Sequence, residues 1–467
     1  MAREELIQEL AGIVGADDVF SSRRDLLVYE YDSTPDVFEP EVVVFPASSD
    51  EASAVMRVAR REELTVVPRG AGTNLSGGTL PLKGGIVMGC SRMKRILHVD
   101  TANERVVVEP GVVNLDLQNF LAPMGYLYAP DPASQKVSTL GGNAGENSGG
   151  PHCLKYGVTT NHVYGLEAVL PSGEVVHTGG PCEDNPGYDL TGVMVASEGT
   201  MGFVTSMTLR IMRSPEAIKT MLAIFDTLEA SGSAVSDIVA DGIIPATLEI
   251  MDRTVAEAVE ASFHSGYPLD AEAILIIELD GMRDSQERLA ARISEICERN
   301  GVREIRVAKS NAERNQLWAG RKGAFGAVAR IAPSYAVQDG TVPRTKLSAT
   351  LRRVTEIAAK YKVTVGNVFH AGDGNLHPLI MFNPRDSEEV ARVHQAGKEI
   401  LQVCVDMGGT LTGEHGIGIE KQDSMPLVFN DADVEAMRSV KKAFDPTGML
   451  NPDKVLPVQL AAAGMGV

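Results

Sequence analysis

The chain has 467 residues, 44% of them hydrophobic and 22% charged, the balance of an ordinary globular protein long enough for two or three separately cored domains. Its formal charge of −19, from 43 basic and 62 acidic side chains, argues against nucleic acid and against simple electrostatic docking to anionic lipid, while a local arginine or metal can still bind an anion in one cleft. Five scattered cysteines (Cys90, Cys153, Cys182, Cys297, Cys404) without CxxC spacing fit a reducing, cytoplasmic setting and no disulfide framework or cysteine-held cluster.

In chain order, Leu6, Leu10 and Ile13 fall at helical spacing, so the acidic N-terminus reads as a short amphipathic helix and not as a signal peptide. No run of about 18 apolar residues predicts a membrane span. Residues 40 to about 215 are rich in glycine and β-branched runs. Strands are expected at 42–46, 65–68, 85–88 and 105–108, and helices at 50–62 and 115–124. A hairpin around Pro171-Ser-Gly173 is expected over 166–177, with a further strand over 202–212. Two glycine-rich loops stand out, Pro68 to Gly78 and Gly141 to Gly150. Such loops let consecutive N–H groups converge on an anion with no Cβ in the way. Neither fits GxGxxG with a ribose-binding acid, or Walker A.

From about residue 216 the pattern becomes α+β, with strands expected at 221–225, 246–251, 273–279 and 303–307. The helix expected over 286–300 carries Leu289, Ile293 and Ile296 on one face. His370-Ala-Gly-Asp-Gly-Asn-Leu-His377 then places two histidines at the ends of a turn between strands 365–369 and 379–382. A hairpin of that kind lets both imidazoles reach one metal ion, with Glu414 of Gly413-Glu-His-Gly416 as an oxygen ligand and one position left open. His415 stands beside such a site, free to move a proton, and Asn375 lies on the same turn. Zinc suits this donor set, though manganese or iron would fit it too. A helix with an acidic start and a basic finish is expected over 431–444, stopped by Asp445-Pro-Thr-Gly448, and the tail 461–467 is expected to fray.

Together the first loop, Pro130-Asp-Pro-Ala-Ser134, Gly141 to Gly150, Lys155-Tyr-Gly157 and Ser197-Glu-Gly-Thr-Met-Gly202 resemble the PCMH-type FAD-binding domain of the vanillyl-alcohol-oxidase flavoprotein family. The two histidine-bearing signatures, Trp318-Ala-Gly-Arg-Lys322 and Phe444 to Pro452 narrow the resemblance to its FAD-linked D-2-hydroxyacid dehydrogenase branch, near the flavoprotein subunits of glycolate oxidases. The match covers nearly the whole chain in the expected order.

The resemblance implies an α+β protein. A PCMH-type FAD-binding domain is expected at 1–215, a ferredoxin-like substrate (cap) domain carrying the metal at 216–425, and a C-terminal helical segment returning to the FAD domain at 426–467. It implies that FAD meets Pro68, Arg69, Gly70, Ala71, Gly72, Thr73, Asn74, Gly77 and Gly78 in the first loop. Pro132, Ser134 and Thr139 precede the second loop, which contributes Gly141, Gly142, Ala144, Asn147, Ser148 and Gly150. Tyr156, Gly157, Glu198, Gly199, Val204 and Asn451 complete the implied set. Thr73-Asn74 stands where some relatives carry a tethering histidine, so the FAD is expected to be noncovalent; His152 and Cys153, near a second tether of other relatives, are not expected to serve as one.

The implied reaction is oxidation of a small D-2-hydroxy acid, glycolate or D-lactate, with hydride passing to flavin N5. Arg321 grips the carboxylate, the metal on His370, His377 and Glu414 polarises the hydroxyl, His415 is the base, and Asn375 orients. A D-2-hydroxyglutarate-type enzyme, a non-catalytic flavin relay subunit and a metallohydrolase are the alternatives. Implied partners are a flavin-binding subunit and an iron–sulfur subunit, with at most peripheral membrane association through them. Lys322, His98, His162, His177 and His394 read as structural or exposed.

Overall fold

The computed structural model of the protein describes residues 3–182 and 186–458. The tail 461–467, expected to fray, lies outside them. The described chain forms two compact units that are not contiguous in sequence. One comprises residues up to Gly149, Val158–Ser214 and everything from Glu414 on; the other comprises Gly150–Gly157 and Pro215–Gly413. This departs from a linear division at residues 215 and 425 in two places. Gly150–Gly157 leaves the first unit, and the chain rejoins it at Glu414.

The first unit holds two main sheets. In one, Val19–Phe20, Val42–Val44, Ile86–Gly89 and Val66–Arg69 lie in that order, the last three parallel. Helix Ser49–Arg61, capped by the Ser48 hydroxyl on the Glu51 N–H, buries Ala52, Val55, Met56 and Ala59 in the core of this sheet. Leu450 bridges to Val66 and adds the C-terminal segment to the same layer. The other sheet is antiparallel: Ile96–Asp100, Arg105–Val108, Phe203–Arg210, Val163–Val169, Val175–Gly179. Phe203–Arg210 buries every second residue, as a strand with one covered face must. The glycine-rich stretch read as a loop at 141–150 is in fact half helix. Leu140–Glu146 is helical because Thr139 caps it and Leu140 and Ala144 bury, and Asn147 ends it at φ +55.

In the second unit seven antiparallel strands run in the order Val302–Val307, Ala217–Phe225, Ala273–Gly281, Thr247–Asp252, Thr364–His370, Pro378–Phe382, Ser334–Val337. Residues Ala273 to Leu279 are all buried because both faces are covered, which is why they read as an unbroken apolar run and not as an alternation. Helices Leu228–Ala240, Arg283–Arg299, Leu347–Tyr361 and Ser387–Asp406 supply one core, and Arg253–Phe263 and Asn311–Ala327 the other. Segment Gly150–Gly157 packs Leu154 against the first of these cores, and Lys155 and the Tyr156 hydroxyl both donate to Asp280. Among the described residues no helix is long and apolar enough to cross a membrane.

Candidate active site

In the first unit a cleft enclosing about 700 Å³, part of it open to solvent, lies between the two sheets' loops. Ten residues that the sequence pattern marks for cofactor contact line it: Pro68, Arg69, Gly70, Gly78, Gly141, Gly142, Ala144, Glu198, Gly199 and Val204. A Cβ at Gly70 would strike the Thr139 hydroxyl, and one at Gly141 would sit 2.5 Å from the Pro110 Cβ. These walls are therefore backbone by necessity.

The other marked residues hold the cleft's frame or lie elsewhere. Thr139 caps the Leu140–Glu146 helix by accepting from the Gly142 N–H at 3.2 Å. Pro132 and Ser134 accept the turn hydrogen bonds of Gln135 and Ser138. Asn147 accepts from the Thr160 N–H at 2.8 Å, and the Ser148 carbonyl accepts from the Thr159 hydroxyl at 2.6 Å. Ala71, Gly72, Thr73, Asn74 and Gly77 form the tip of the first loop, outside the cleft lining. There Asn74 donates to Asp32 at 2.9 Å and accepts from Thr79 at 2.9 Å. Gly150, Tyr156 and Gly157 belong to the second unit. Thr79, Cys90, Pro110, Leu166 and Met194 also line the cleft and carry no motif that would have marked them, and Glu146 lines it from within the second glycine-rich segment.

The C-terminal segment closes this frame. Asn451, fully buried at φ +40, donates to the Gly78 carbonyl at 2.8 Å and the Glu198 carbonyl at 2.6 Å, leaving its own oxygen without a hydrogen-bond partner. Lys454 donates to the carbonyls of Gly78 at 2.8 Å and Leu80 at 2.6 Å. The Ala196–Gly199 turn, with Ala196, Glu198 and Gly199 all at positive φ, is strapped to the Leu140–Glu146 helix by the Ala196 and Glu198 N–H groups. The Glu198 carboxylate accepts from the N–H groups of Ile417 at 2.7 Å and Gly418 at 2.9 Å. Gly416 is glycine because a Cβ there would lie 2.6 Å from Glu146 Oε2 and 2.7 Å from Glu198 Oε1. Burial raises both carboxyls above the usual range, and Glu146 is raised further by the neighbouring Glu198. Burial also brings Lys454 down to about 7, against the pull of Glu198, Asp32 and Glu146. Glu414, half-buried at the chain's re-entry, accepts from the Gly149 N–H at 3.0 Å, and half-buried His415 follows it.

The histidine hairpin lies in the second unit. Strands Thr364–His370 and Pro378–Phe382 pair antiparallel, and the turn between them, with Gly374 at φ +80, brings the His370 and His377 rings to 5.1 Å at 89°. A Cβ on Gly374 would collide with the Val342 carbonyl. Both histidines are buried, as is Asn375, whose carboxamide oxygen has no hydrogen-bond partner. On the other side, His370 faces Glu249 across the pairing of its strand with Thr247–Asp252, and His370 Nδ1 lies 2.7 Å from Glu249 Oε1.

Glu249 Oε2 accepts from Arg321 Nε at 2.7 Å and lies 2.6 Å from Nη2, which makes no hydrogen bond. The guanidinium expected to grip a substrate carboxylate is thus 2% exposed and already paired with an internal one, since a charge so buried requires a counter-charge. Burial alone would raise Glu249, but Arg321 and His370 hold it below the usual carboxylate range. Behind His377, fully buried Asp339 places Oδ1 3.7 Å from Nδ1 and accepts from the Gly413 N–H at 3.0 Å. Glu249 and Asp339 sit in strand and loop contexts that gave no sign of a role.

His152 stacks on Trp318 at 6.0 Å, with Nε2 3.6 Å from Glu278, and exposed Lys322 lies 5.6 Å over the same indole. His162 is buried edge-on to Tyr128, and His98, His177 and His394 are exposed.

Two family descriptions match the chain: "FAD linked oxidases, C-terminal domain" over residues 214–455 and "FAD binding domain" over 40–179. The chain is 41% identical over 465 residues to the glycolate oxidase subunit GlcD of Escherichia coli K12, covering 99% of this chain and 93% of that protein. It is 31% identical to a D-lactate dehydrogenase of Anaerostipes hadrus, covering 89% of each. Among solved structures, p-cresol methylhydroxylase with substrate bound superposes with a TM-score of 0.80 at 16% identity over 96% of both chains, a likeness of fold.

Proposed function

This chain belongs to the FAD-linked oxidases, and we propose that it oxidises a small D-2-hydroxy acid, glycolate or D-lactate, to the 2-oxo acid. FAD is bound noncovalently, and a divalent ion, zinc by the chemistry of its donors, is held by His370, His377 and Glu414. The observation that carries the substrate side is the buried, edge-to-face histidine pair beside an orphaned Asn375 oxygen. Two neutral imidazoles and a carboxylate form the donor set of a catalytic zinc site with an open position. The cofactor side is supported by the backbone-walled cleft and the orphaned Asn451 oxygen. Asn74 and His152, at the two positions where a tether would attach, are engaged with Asp32 and Glu278, which supports noncovalent binding.

FAD, when bound, supplies the acceptor for the hydrogen and electron pair leaving the substrate Cα. A divalent ion, when bound, supplies Lewis acidity that lowers the pKa of the hydroxyl. The protein's own groups do the rest. Arg321, its direction set by Glu249, presents positive charge to the carboxylate of the acid. His415 takes the hydroxyl proton as general base. Asn375 offers its unused oxygen to orient the substrate. Burial on this scale excludes bulk water, so these fixed groups act with little competition. The printed name of the Escherichia coli relative, a glycolate oxidase subunit, supports assembly with partner subunits; we take these to be a flavin-binding and an iron–sulfur subunit that relay electrons onward.

The test is anaerobic bleaching of the purified protein's flavin spectrum by glycolate, D-lactate, L-lactate or D-2-hydroxyglutarate, before and after chelation. Bleaching by glycolate or D-lactate that chelator abolishes is expected. A flavoprotein that none of these acids reduces would point to an electron-relay subunit, and a colourless protein unable to take up FAD would refute the proposal.

A further inference from the structure

Glu249 divides its two oxygens between two functional side chains of the second unit, one lying 2.7 Å from His370 Nδ1 and the other accepting from Arg321 Nε at 2.7 Å. We propose that Glu249 is a positioning residue that joins the metal ligand His370 and the acid-binding Arg321 into one rigid buried unit, so that metal affinity and acid affinity depend on the same carboxylate. The inference rests on the metal reading above.

The argument begins with tautomer. An ionised carboxylate can only accept a hydrogen bond, so His370 carries its proton on Nδ1 and presents Nε2 as the lone-pair donor a metal requires. Glu249 accepts from Arg321 Nε and lies 2.6 Å from its Nη2, so the guanidinium is the counter-charge a buried carboxylate requires. The arginine therefore acts on the metal ligand through Glu249, and the ligand on the arginine. Position is fixed as firmly as protonation. Glu249 and His370 are direct cross-strand partners in an antiparallel ladder, and a slip of one residue would turn both side chains to the opposite face. Thr247 adds a donor to Oε1 at 3.2 Å. With 1% of its surface exposed, Glu249 has no water to replace either partner.

The competing explanation is that Glu249 merely neutralises a buried arginine and touches His370 by chance. Zinc affinity separates the two. The full-length, FAD-loaded protein is stripped of metal and titrated with Zn²⁺ against a competing chelator. Glu249→Gln is expected to bind zinc roughly 10- to 100-fold more weakly, the usual consequence of losing the carboxylate behind a ligand histidine, and to raise the KM for the acid, with flavin content unchanged. Glu249→Asp keeps the negative charge but withdraws it by one methylene from both His370 and Arg321, and serves if the amide variant folds poorly; it too is expected to lose zinc affinity. Wild-type zinc affinity in either folded variant would overturn the proposal. A wild-type protein whose zinc binding is indifferent to His370→Ala would overturn the metal reading and this inference with it.

Discussion

Replacing Asn451 by glycine tests how the flavin cleft is held closed. The side chain is fully buried, and its amide donates to the carbonyls of Gly78 and Glu198, one from each wall of the cleft. Glycine keeps the φ of +40 at no steric cost, so the variant removes the two hydrogen bonds and little else. The Gly78 carbonyl retains Lys454 as a donor and loses about 0.5–1.5 kcal/mol, whereas the Glu198 carbonyl loses its amide donor in a buried site at about 1–3 kcal/mol. Their sum, about 1.5–4.5 kcal/mol, should appear in urea unfolding of the apoprotein. Since both carbonyls belong to loops that line the cleft, roughly ten- to a hundredfold should be lost in FAD affinity measured by fluorescence titration. Asn451→Ala should be worse than glycine by about 1 kcal/mol, because alanine is strained at positive φ. A glycine variant with wild-type stability and FAD affinity, or an alanine variant milder than glycine, would refute the reasoning.

Replacing His370 or His377 by alanine should release bound metal, measured by elemental analysis, while leaving FAD stoichiometry unchanged; loss of flavin would show that the metal site is misplaced. His415→Ala should slow flavin reduction in stopped flow with little change in acid affinity. Arg321→Ala should weaken acid binding and also destabilise the fold by about 3–5 kcal/mol, because Glu249 would keep a buried charge without its partner. Lys454 titrates near 7 in the folded protein against 10.5 when free. The unfolded chain thus binds more protons between those values, and the lysine's contribution to stability rises with pH across about 7 to 10.5. The melting-temperature difference between wild type and Lys454→Met should widen over that window; a constant difference would sink the assignment.

Much of this architecture was legible where local pattern and burial agree. Helix Asp431–Phe444 begins and ends where its acidic start and Asp445-Pro stop predict, and Asn430 caps it. The strands flanking the histidine turn extend the expected ones by a residue or so. What stayed hidden has two causes. Glycine composition masked the Leu140–Glu146 helix, since a single capped turn needs little propensity once Leu140 and Ala144 are buried. Long-range pairing hid the rest. Glu249 in Thr-Leu-Glu-Ile-Met-Asp looks like a solvent-facing strand residue, and its partners lie 72 and 121 residues further on. Likewise Gly150–Gly157 sits in sequence between flavin-domain strands, and only Asp280, Trp318 and Gly372, far downstream, reveal where it packs.

The Gly78–Asn451 bond spans 373 residues and the Glu198–Asn451 bond 253. A ribosome makes the first glycine-rich loop and the Ala196–Gly199 turn long before the asparagine that ties them together, with the whole seven-stranded sheet synthesised in between. The nascent chain must therefore carry an unfinished cofactor cleft through most of its synthesis, the exposed state in which large proteins are most prone to aggregate. A chain cut before Asn451 should therefore keep both glycine-rich segments and yet hold FAD weakly.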